Sequence, residues 1–380
     1  MSNAHQPYDL AQMQSLPLEA KIRMTKQRIK AWYESWKRYE IYNMKTEKTR
    51  FVVSTEEPPL KENEYIETAE SGWVYVSFSG GKDSTVLKHI VDSMYSDVPA
   101  VFVNTGLEYP EIQKFAMSQK NVVTVRPKMR FNEVLSTYGF PIISKSISHK
   151  VDIVKRRGSK CEVYKYFKGT AINKDGKPSL FNCQKWEYLI GAPFDISSKC
   201  CDVMKKKPAK QYEKETGRKP IIGTLATESM MREKWWLKNG CNAFDKNNPS
   251  SQPLSFWTEQ DILHYIKKHD VPYCSVYGGI VFDSNDGTPD DQINIIDLLG
   301  DYEPEDRLKT TGCDRTGCVF CMFGITQDRT PNRFQRLKET HPRQYEYCIG
   351  GGEMVDGKWQ PNKQGLGLGY VLDYIGVKYD

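Results

Sequence analysis

No uninterrupted apolar run in the 380-residue chain approaches the ~20 residues that a membrane-spanning helix needs. The opening stretch, MSNAHQPYDLAQ, lacks the charged-then-apolar build of a secretory signal. Internal repeats are missing, which argues against a solenoid or propeller, and so are low-complexity tracts. These absences lead to the expectation of a globular, cytoplasmic protein with no membrane partner.

What is present agrees with that expectation. Hydrophobic residues make up 39% of the chain and charged residues 27%, with 20 prolines, the profile of a folded protein. The length leaves room for one or two cores. The net charge of +6 is unevenly placed: residues 21 to 50 carry ten Lys or Arg against three Asp or Glu. Such a surface can meet nucleic acid or be a solvated helix face. Ten cysteines without an export signal do not suggest a disulfide framework, because the cytosol keeps thiols reduced. Their placement suggests ligands or catalysts: Cys200 and Cys201 are adjacent, and Cys313, Cys318 and Cys321 crowd together.

Residues 18 to 45 set Leu18, Ile22, Ile29, Trp32, Trp36, Tyr39 and Tyr42 at helical spacings without Pro or Gly. One long amphipathic helix, or two with a break, is expected, its aromatic stripe serving as core or docking surface. After a polar link, GWVYVSFSGGKDSTVLKHIVDSMY reads as a buried strand, a glycine turn and a helix, and VPAVFVNTGLEYPEI repeats the plan, with a helix opening near Pro110. NVVTVRP and KPIIGTL supply a third and a fourth strand. Strands alternating with helices predict an α/β fold, a parallel sheet flanked by helices, with ligands at the carboxyl ends of its strands. Residues 142 to 220, rich in Lys, Ser and Gly, read as a large insertion or irregular region. Further on, Thr258 is a candidate N-cap, with Asp261 completing a box-like pattern. The expected organisation is a helical extension over 1–55, a nucleotide-binding α/β domain over 56–300 and a cysteine-bearing segment over 301–380.

The turn Ser79-Gly80-Gly81-Lys82-Asp83-Ser84 has what an anion site needs: glycines that let backbone N–H groups approach, a helix N-terminus, and small hydroxyls. It lacks the G-x-x-x-x-G-K-[ST] spacing of the Walker loop. S-G-G-K-D-S after an apolar strand resembles the PP-loop of the adenine-nucleotide α-hydrolase superfamily. VFVNTGLEYPE, GTLATESMMR and PLSFWTEQDILHYIKKHDVPY resemble, in order, further motifs of the phosphoadenosine phosphosulfate (PAPS) reductase family. The resemblance runs over roughly residues 72 to 325 and implies an adenine nucleotide held by Ser79, Gly80, Gly81, Lys82, Asp83, Ser84, Thr105, Gly106, Glu228 and Arg232. Lys82, Asp83 and Arg232 are the residues it implies for catalysis.

Cys200-Cys201 and Cys318-x-x-Cys321 supply four thiolates, enough for an iron–sulfur cluster or a structural zinc. The adjacent pair points away from the two-knuckle pattern usual for zinc. In family members that carry one, such pairs bind a [4Fe–4S] cluster, so the resemblance implies that cofactor, with zinc as the alternative and Cys313 in reserve. Lys199, Lys205, Lys206 and Lys207 would give it basic surroundings, or form a solvated loop.

Two departures matter. The family's reductases end on a mobile tail whose Cys, between Glu and Gly, attacks the sulfate sulfur, whereas this chain offers only EYCIGGG around Cys348. That cysteine is a candidate nucleophile with a structural role as its alternative. Leu225 stands where the family often has Arg. A second reading is therefore ATP-dependent sulfur transfer to DNA or tRNA, with Mg²⁺ if ATP is the substrate. The basic N-terminal helix and residues 149–160 would then contact phosphates, and a sulfur-donor protein or thiol reductant would supply the sulfur or electrons. A third is a nucleotide-sensing protein without catalysis.

Overall fold

The computed structural model describes residues 5–244, 247–283 and 307–380. The expected boundary at residue 300 lies outside these residues. The chain forms two compact units, each built from segments distant in sequence. The first comprises residues 1–103, 109–125 and 209–316; the second comprises 104–108, 126–208 and 317–380.

The first unit is organised on a six-stranded sheet in the order Val122–Val125, Ala100–Val103, Val74–Phe78, Lys219–Ile222, Ser250–Ser251 and Asn242–Ala243. The first five strands pair in parallel, and only Asn242–Ala243 is antiparallel. Val74, Val76 and Phe78 are buried on one face of their strand and Tyr75 on the other. Such two-sided burial is what a strand covered by helices requires. Helices Lys82–Asp92 and Glu259–Lys268 bury Val86, Leu87, Ile90, Ile262 and Ile266 against this core. The α/β architecture and the Thr258 cap are as expected: Thr258 Oγ1 accepts from Asp261 N at 3.2 Å, and Asp261 Oδ2 accepts from Thr258 N at 2.6 Å.

The N-terminal region departs from the expected long helix. Leu18–Ser35 is helical, but Lys37–Asn43 is a strand, the middle of a three-stranded antiparallel sheet with Lys48–Ser54 and Glu64–Ser71. The reason is a switch of period: Tyr39 and Ile41 are buried two residues apart, the alternation of a strand, in a run of aromatic and β-branched residues. Tyr39 and Tyr42 fit a helical spacing equally well, which hid the switch.

The helix itself belongs to the core. Ile22, Ile29 and Trp32 are buried in the same cluster as the central strands. Two polar contacts fix it, one to the P-L-x-x-W stretch at 253–257 and one to helix Glu259–Lys268. Trp257 Nε1 donates to Thr25 Oγ1 at 2.9 Å, and Lys21 is buried in an ion pair with Asp261 at 2.7 Å.

In the second unit, residues 142–208 are more regular than expected. They carry helices Lys145–Arg157 and Tyr164–Lys168, a 3₁₀ segment Gln184–Gly191 and a π-helical turn Asp202–Lys206. The short strand Met322–Phe323 pairs in parallel with Ile142–Ile143. Helices Arg333–Thr340, Pro342–Ile349 and Leu368–Tyr374 complete this unit. Among the described residues, no helix is long and apolar enough to cross a membrane.

Candidate active site

Strand Val74–Phe78 runs directly into Ser79–Gly81, and helix Lys82–Asp92 starts at the next residue with Gly81 as N-cap. Gly80 takes φ +74°, and a side chain there would press on Ile112. Gly223, at the end of the neighbouring strand, is needed for a different reason: a Cβ would lie 3.1 Å from the carbonyl oxygen of Asp83. The end of strand Lys219–Ile222 and the first turn of helix Lys82–Asp92 therefore approach as closely as glycine permits. Ser84 Oγ ties the turn together, accepting from Ser79 N at 3.2 Å and donating to Gly81 O at 2.9 Å. The first turn of a helix leaves N–H groups without intrahelical partners, and its dipole favours an anion there.

Lys82 is buried, and its amino group lies 2.6 Å from Glu259 Oε1 and 2.5 Å from the carbonyl oxygen of Asp314. Its backbone N–H donates to Tyr277 Oη at 3.2 Å, and that hydroxyl is 2.6 Å from Thr316 Oγ1. Burial pushes the Tyr277 phenol up to about 12, which keeps the hydroxyl protonated.

Asp83 is the anomalous member of the turn. Its Oδ1 is buried with no hydrogen-bond partner. Burial raises its pKa, with Glu259 adding to the rise and Lys82, Arg315 and Arg232 opposing it. A buried carboxylate oxygen without a partner is costly, and it is a hard oxygen donor of the type that Mg²⁺ takes.

Glu228 lies between two guanidiniums, paired with Arg232 and 3.2 Å from Arg315 Nη2. Burial and the neighbouring Arg315 hold Arg232 below its ordinary pKa. The first unit thus gathers Ser79–Ser84, Glu228 and Arg232 as the sequence suggested, and adds Glu259, Tyr277, Asp314, Arg315 and Thr316. Sequence reasoning missed the additions because they come from loops whose spacing carries no motif. The C-D-R-T run beside the cysteines was the available signal for Arg315.

The other expected site residues lie in the second unit. In the Asn104–Glu108 turn, Thr105 N and Oγ1 donate to the two oxygens of Glu108 at 3.1 and 2.7 Å. Gly106 N donates to Asn104 Oδ1 at 3.1 Å. This turn is joined to the cysteine segment, since Val319 N donates to Leu107 O at 2.7 Å.

Cys200 and Cys201 precede the π-helical turn that carries Lys205, and π-turns often mark functional positions. The Cys318 and Cys201 thiols and the Glu108 carboxylate lie in electrostatic range of the amino group of Lys205. Burial, then the Cys201, Cys318 and Cys321 thiols, push Cys200 up. Burial does the same to Cys318, to about 11, against the opposing charge of Lys205. All four thiols are thus in electrostatic range of one ammonium group, and none is in a disulfide. Among the described residues, no three His, Cys, Asp or Glu side chains are grouped so as to hold a single metal ion. Arg333 supports the loop from outside, donating to the carbonyl oxygens of Cys321 and Phe323 at 3.1 Å each.

Cys313 is in the first unit, within electrostatic range of Cys274. Cys348 is fully buried on helix Pro342–Ile349, and burial pushes its thiol well up. Attack needs an exposed, low-pKa thiolate, so this structure gives Cys348 a packing role and corrects its candidacy as nucleophile.

A mainly parallel sheet, with a glycine-lined helix N-terminus and clustered cations at its strand ends, defines an α/β protein with a candidate anion site. The model of the phosphoadenosine phosphosulfate reductase domain matches residues 73–146 and 150–322, and the chain belongs to that family. An uncharacterized protein of Methanocaldococcus jannaschii, MJ0973, is 25% identical over 279 residues, 73% of this chain and 46% of that protein. The chain thus spans about half the length of that curated relative. The crystal structure of a PAPS reductase from Candida auris, a phosphate complex, aligns with 53% of this chain and 75% of that one. Its sequence identity is 14% and its TM-score 0.29.

Proposed function

We propose that the Ser79–Ser84 turn binds the phosphate groups of an adenine nucleotide, either ATP or an adenylyl sulfate, for a reaction of sulfur metabolism. The observation that carries this reading is the presence, at one helix N-terminus, of a buried lysine beside an aspartate whose Oδ1 is buried without a partner. Lys82, Arg232 and Arg315 would neutralise the anion, and the helix N–H groups would orient it. Lys82 and Arg232 would also stabilise charge developing on the departing group, pyrophosphate from ATP or the nucleotide phosphate from an adenylyl sulfate.

Between the two substrates, the burial of Cys348 favours ATP, because it withdraws the cysteine that the sequence offered as nucleophile for reduction of an adenylyl sulfate. Asp83 supports the same choice: its free oxygen suits Mg²⁺, which would screen the phosphate charge when bound. The transferase reading, sulfur passed to DNA or tRNA after activation by ATP, is therefore retained beside the reductase reading.

Cys200, Cys201, Cys318 and Cys321 would hold a [4Fe–4S] cluster. The donor chemistry fits: four free thiols lie in electrostatic range of one half-buried ammonium, which offsets the charge of the thiolates. The cluster would supply a site for carrying or positioning sulfur, while Lys205 and Arg333 keep the ligand loops in place.

Pyrophosphate release from ATP, with and without DNA or tRNA, tests the transferase. Thiol-dependent sulfite release from PAPS or adenosine phosphosulfate tests the reductase. Release of neither product, with no nucleotide bound, would refute the proposal.

A further inference from the structure

Residues 145 to 190 hold eleven Lys and Arg against four Asp and Glu, an excess of seven where the whole chain has six. Part of this charge is used internally. Lys155 donates to the carbonyl oxygens of Ala192 and Phe194 at 2.8 and 2.6 Å, and Arg156, Lys165 and Lys168 pair with Asp152, Glu162 and Glu187. The remaining seven cations, among them Lys174, Lys177 and Lys185, form no ion pair among the described residues. They surround apolar groups that a solvated loop does not need. Leu180 is 94% exposed and Phe181 67% exposed. Lys150 lies 4.5 Å from the centre of the Tyr166 ring, and Lys185 lies 4.9 Å from that of Trp186.

Between helix Lys145–Arg157 and the Leu180–Trp186 segment is a cavity of about 350 Å³, walled by Lys150, Phe181, Asn182, Gln184 and Trp186. Asn182 Nδ2 donates to the carbonyl oxygens of Gly169 and Ala171 at 3.1 and 3.2 Å, which fixes the orientation of the amide. Its Oδ1 is left buried with no partner. A buried acceptor of this kind calls for an N–H donor.

We propose that this face of the second unit binds single-stranded nucleic acid, with one base entering the cavity beside Phe181 and Trp186 and the backbone running over the unpaired lysines. The chemistry divides accordingly. Aromatic side chains stack on any base and lysines track phosphates, the usual combination for single strands. Asn182 Oδ1 can accept from the exocyclic amine or ring N–H of the inserted base. A duplex keeps its bases stacked and paired, so it would offer only its phosphates. An anionic lipid surface would engage the lysines and the apolar tips, but it has no base N–H donor for the unpartnered amide oxygen of Asn182. The proposal rests on this surface alone and not on the nucleotide site, so either can fail without the other.

The test is fluorescence anisotropy of the full chain with short labelled single-stranded DNA and RNA, a duplex of the same sequence, and vesicles with and without phosphatidylserine. Single strands should bind more tightly than the duplex, and vesicles not at all. The triple variant Lys174→Glu, Lys177→Glu, Lys185→Glu, all at exposed positions, should weaken binding at least tenfold. It should also flatten the slope of log K against log salt by about 2, as expected for three lost phosphate contacts at ~0.7 each. Phe181→Ala with Trp186→Ala should weaken binding by about tenfold with the slope unchanged, the size of one lost stacking contact. Circular dichroism and thermal unfolding establish that each variant is folded. No binding of single strands at low salt, equal or tighter binding of the duplex, uptake by vesicles alone, or folded variants that bind like the parent would each overturn the proposal.

Discussion

The amino group of Lys82 lies 2.6 Å from Oε1 of Glu259, the first residue of helix Glu259–Lys268, so a carboxylate occupies the lysine of the anion loop. Lys82 is nearly inaccessible while the Glu259 side chain is half exposed, and an incoming phosphate oxygen would compete with that carboxylate for the ammonium.

Glu259→Gln should therefore tighten nucleotide binding by roughly two- to fivefold, the worth of a partly exposed ion pair. Calorimetric titration of ATP, adenosine phosphosulfate and PAPS measures this. Weaker binding by the variant would show that Glu259 supports the site rather than competing for it.

Asp83 gives a pH prediction. Burial raises its pKa in the folded chain above the unfolded value, so the folded state holds this proton more tightly. Its contribution favours folding most below the unfolded carboxylate pKa and is lost as pH rises through the folded value. Asp83→Asn should raise the melting temperature at neutral pH by roughly 1–3 °C, with the gain shrinking toward acidic pH, and should weaken Mg²⁺-dependent nucleotide binding. A lower melting temperature at neutral pH would show that the carboxylate is compensated in a way the geometry does not reveal.

Cluster occupancy should follow four cysteines and no others. Iron and acid-labile sulfide, measured after anaerobic purification, should fall sharply in Cys200→Ser and Cys321→Ser and stay unchanged in Cys313→Ser and Cys348→Ser. A colourless parent protein with stoichiometric zinc would replace the cluster with a zinc site.

The buried pair Lys21–Asp261 anchors the N-terminal helix to the core. Lys21→Met should destabilise the protein by about 3–5 kcal/mol, because it strands a buried carboxylate, while Lys21→Met with Asp261→Leu should recover part of the loss. Chemical denaturation of the two variants decides it, and equal losses would show that the charges act independently.

Much of the site was legible because its logic is local. S-G-G-K-D-S follows an apolar strand and opens a helix, and the period shifts from strand to helix within a few residues. The P-L-x-x-W stretch was legible as a motif but not in its role, which is to bury Leu254, Phe256 and Trp257 and hold the N-terminal helix. Glu259, Tyr277 and Arg315 were not legible, since residues 39 to over 200 positions apart meet only through the sheet topology. The strand Lys37–Asn43 was lost to an ambiguity of period, as aromatic residues three apart suit a helix while Tyr39 and Ile41 are buried as in a strand. The π-helical turn after Cys201 had no sequence signal, although the lysines following the cysteine pair did mark the ammonium that meets Cys318.

The most direct test of the central claim is equilibrium binding of ATP, adenosine phosphosulfate and PAPS to the parent protein and to Lys82→Ala. The account predicts that at least one of the three binds and that the substitution weakens it about tenfold or more, the loss of a charge-assisted contact to phosphate. Binding of none of them, or equal binding by the variant, would contradict it.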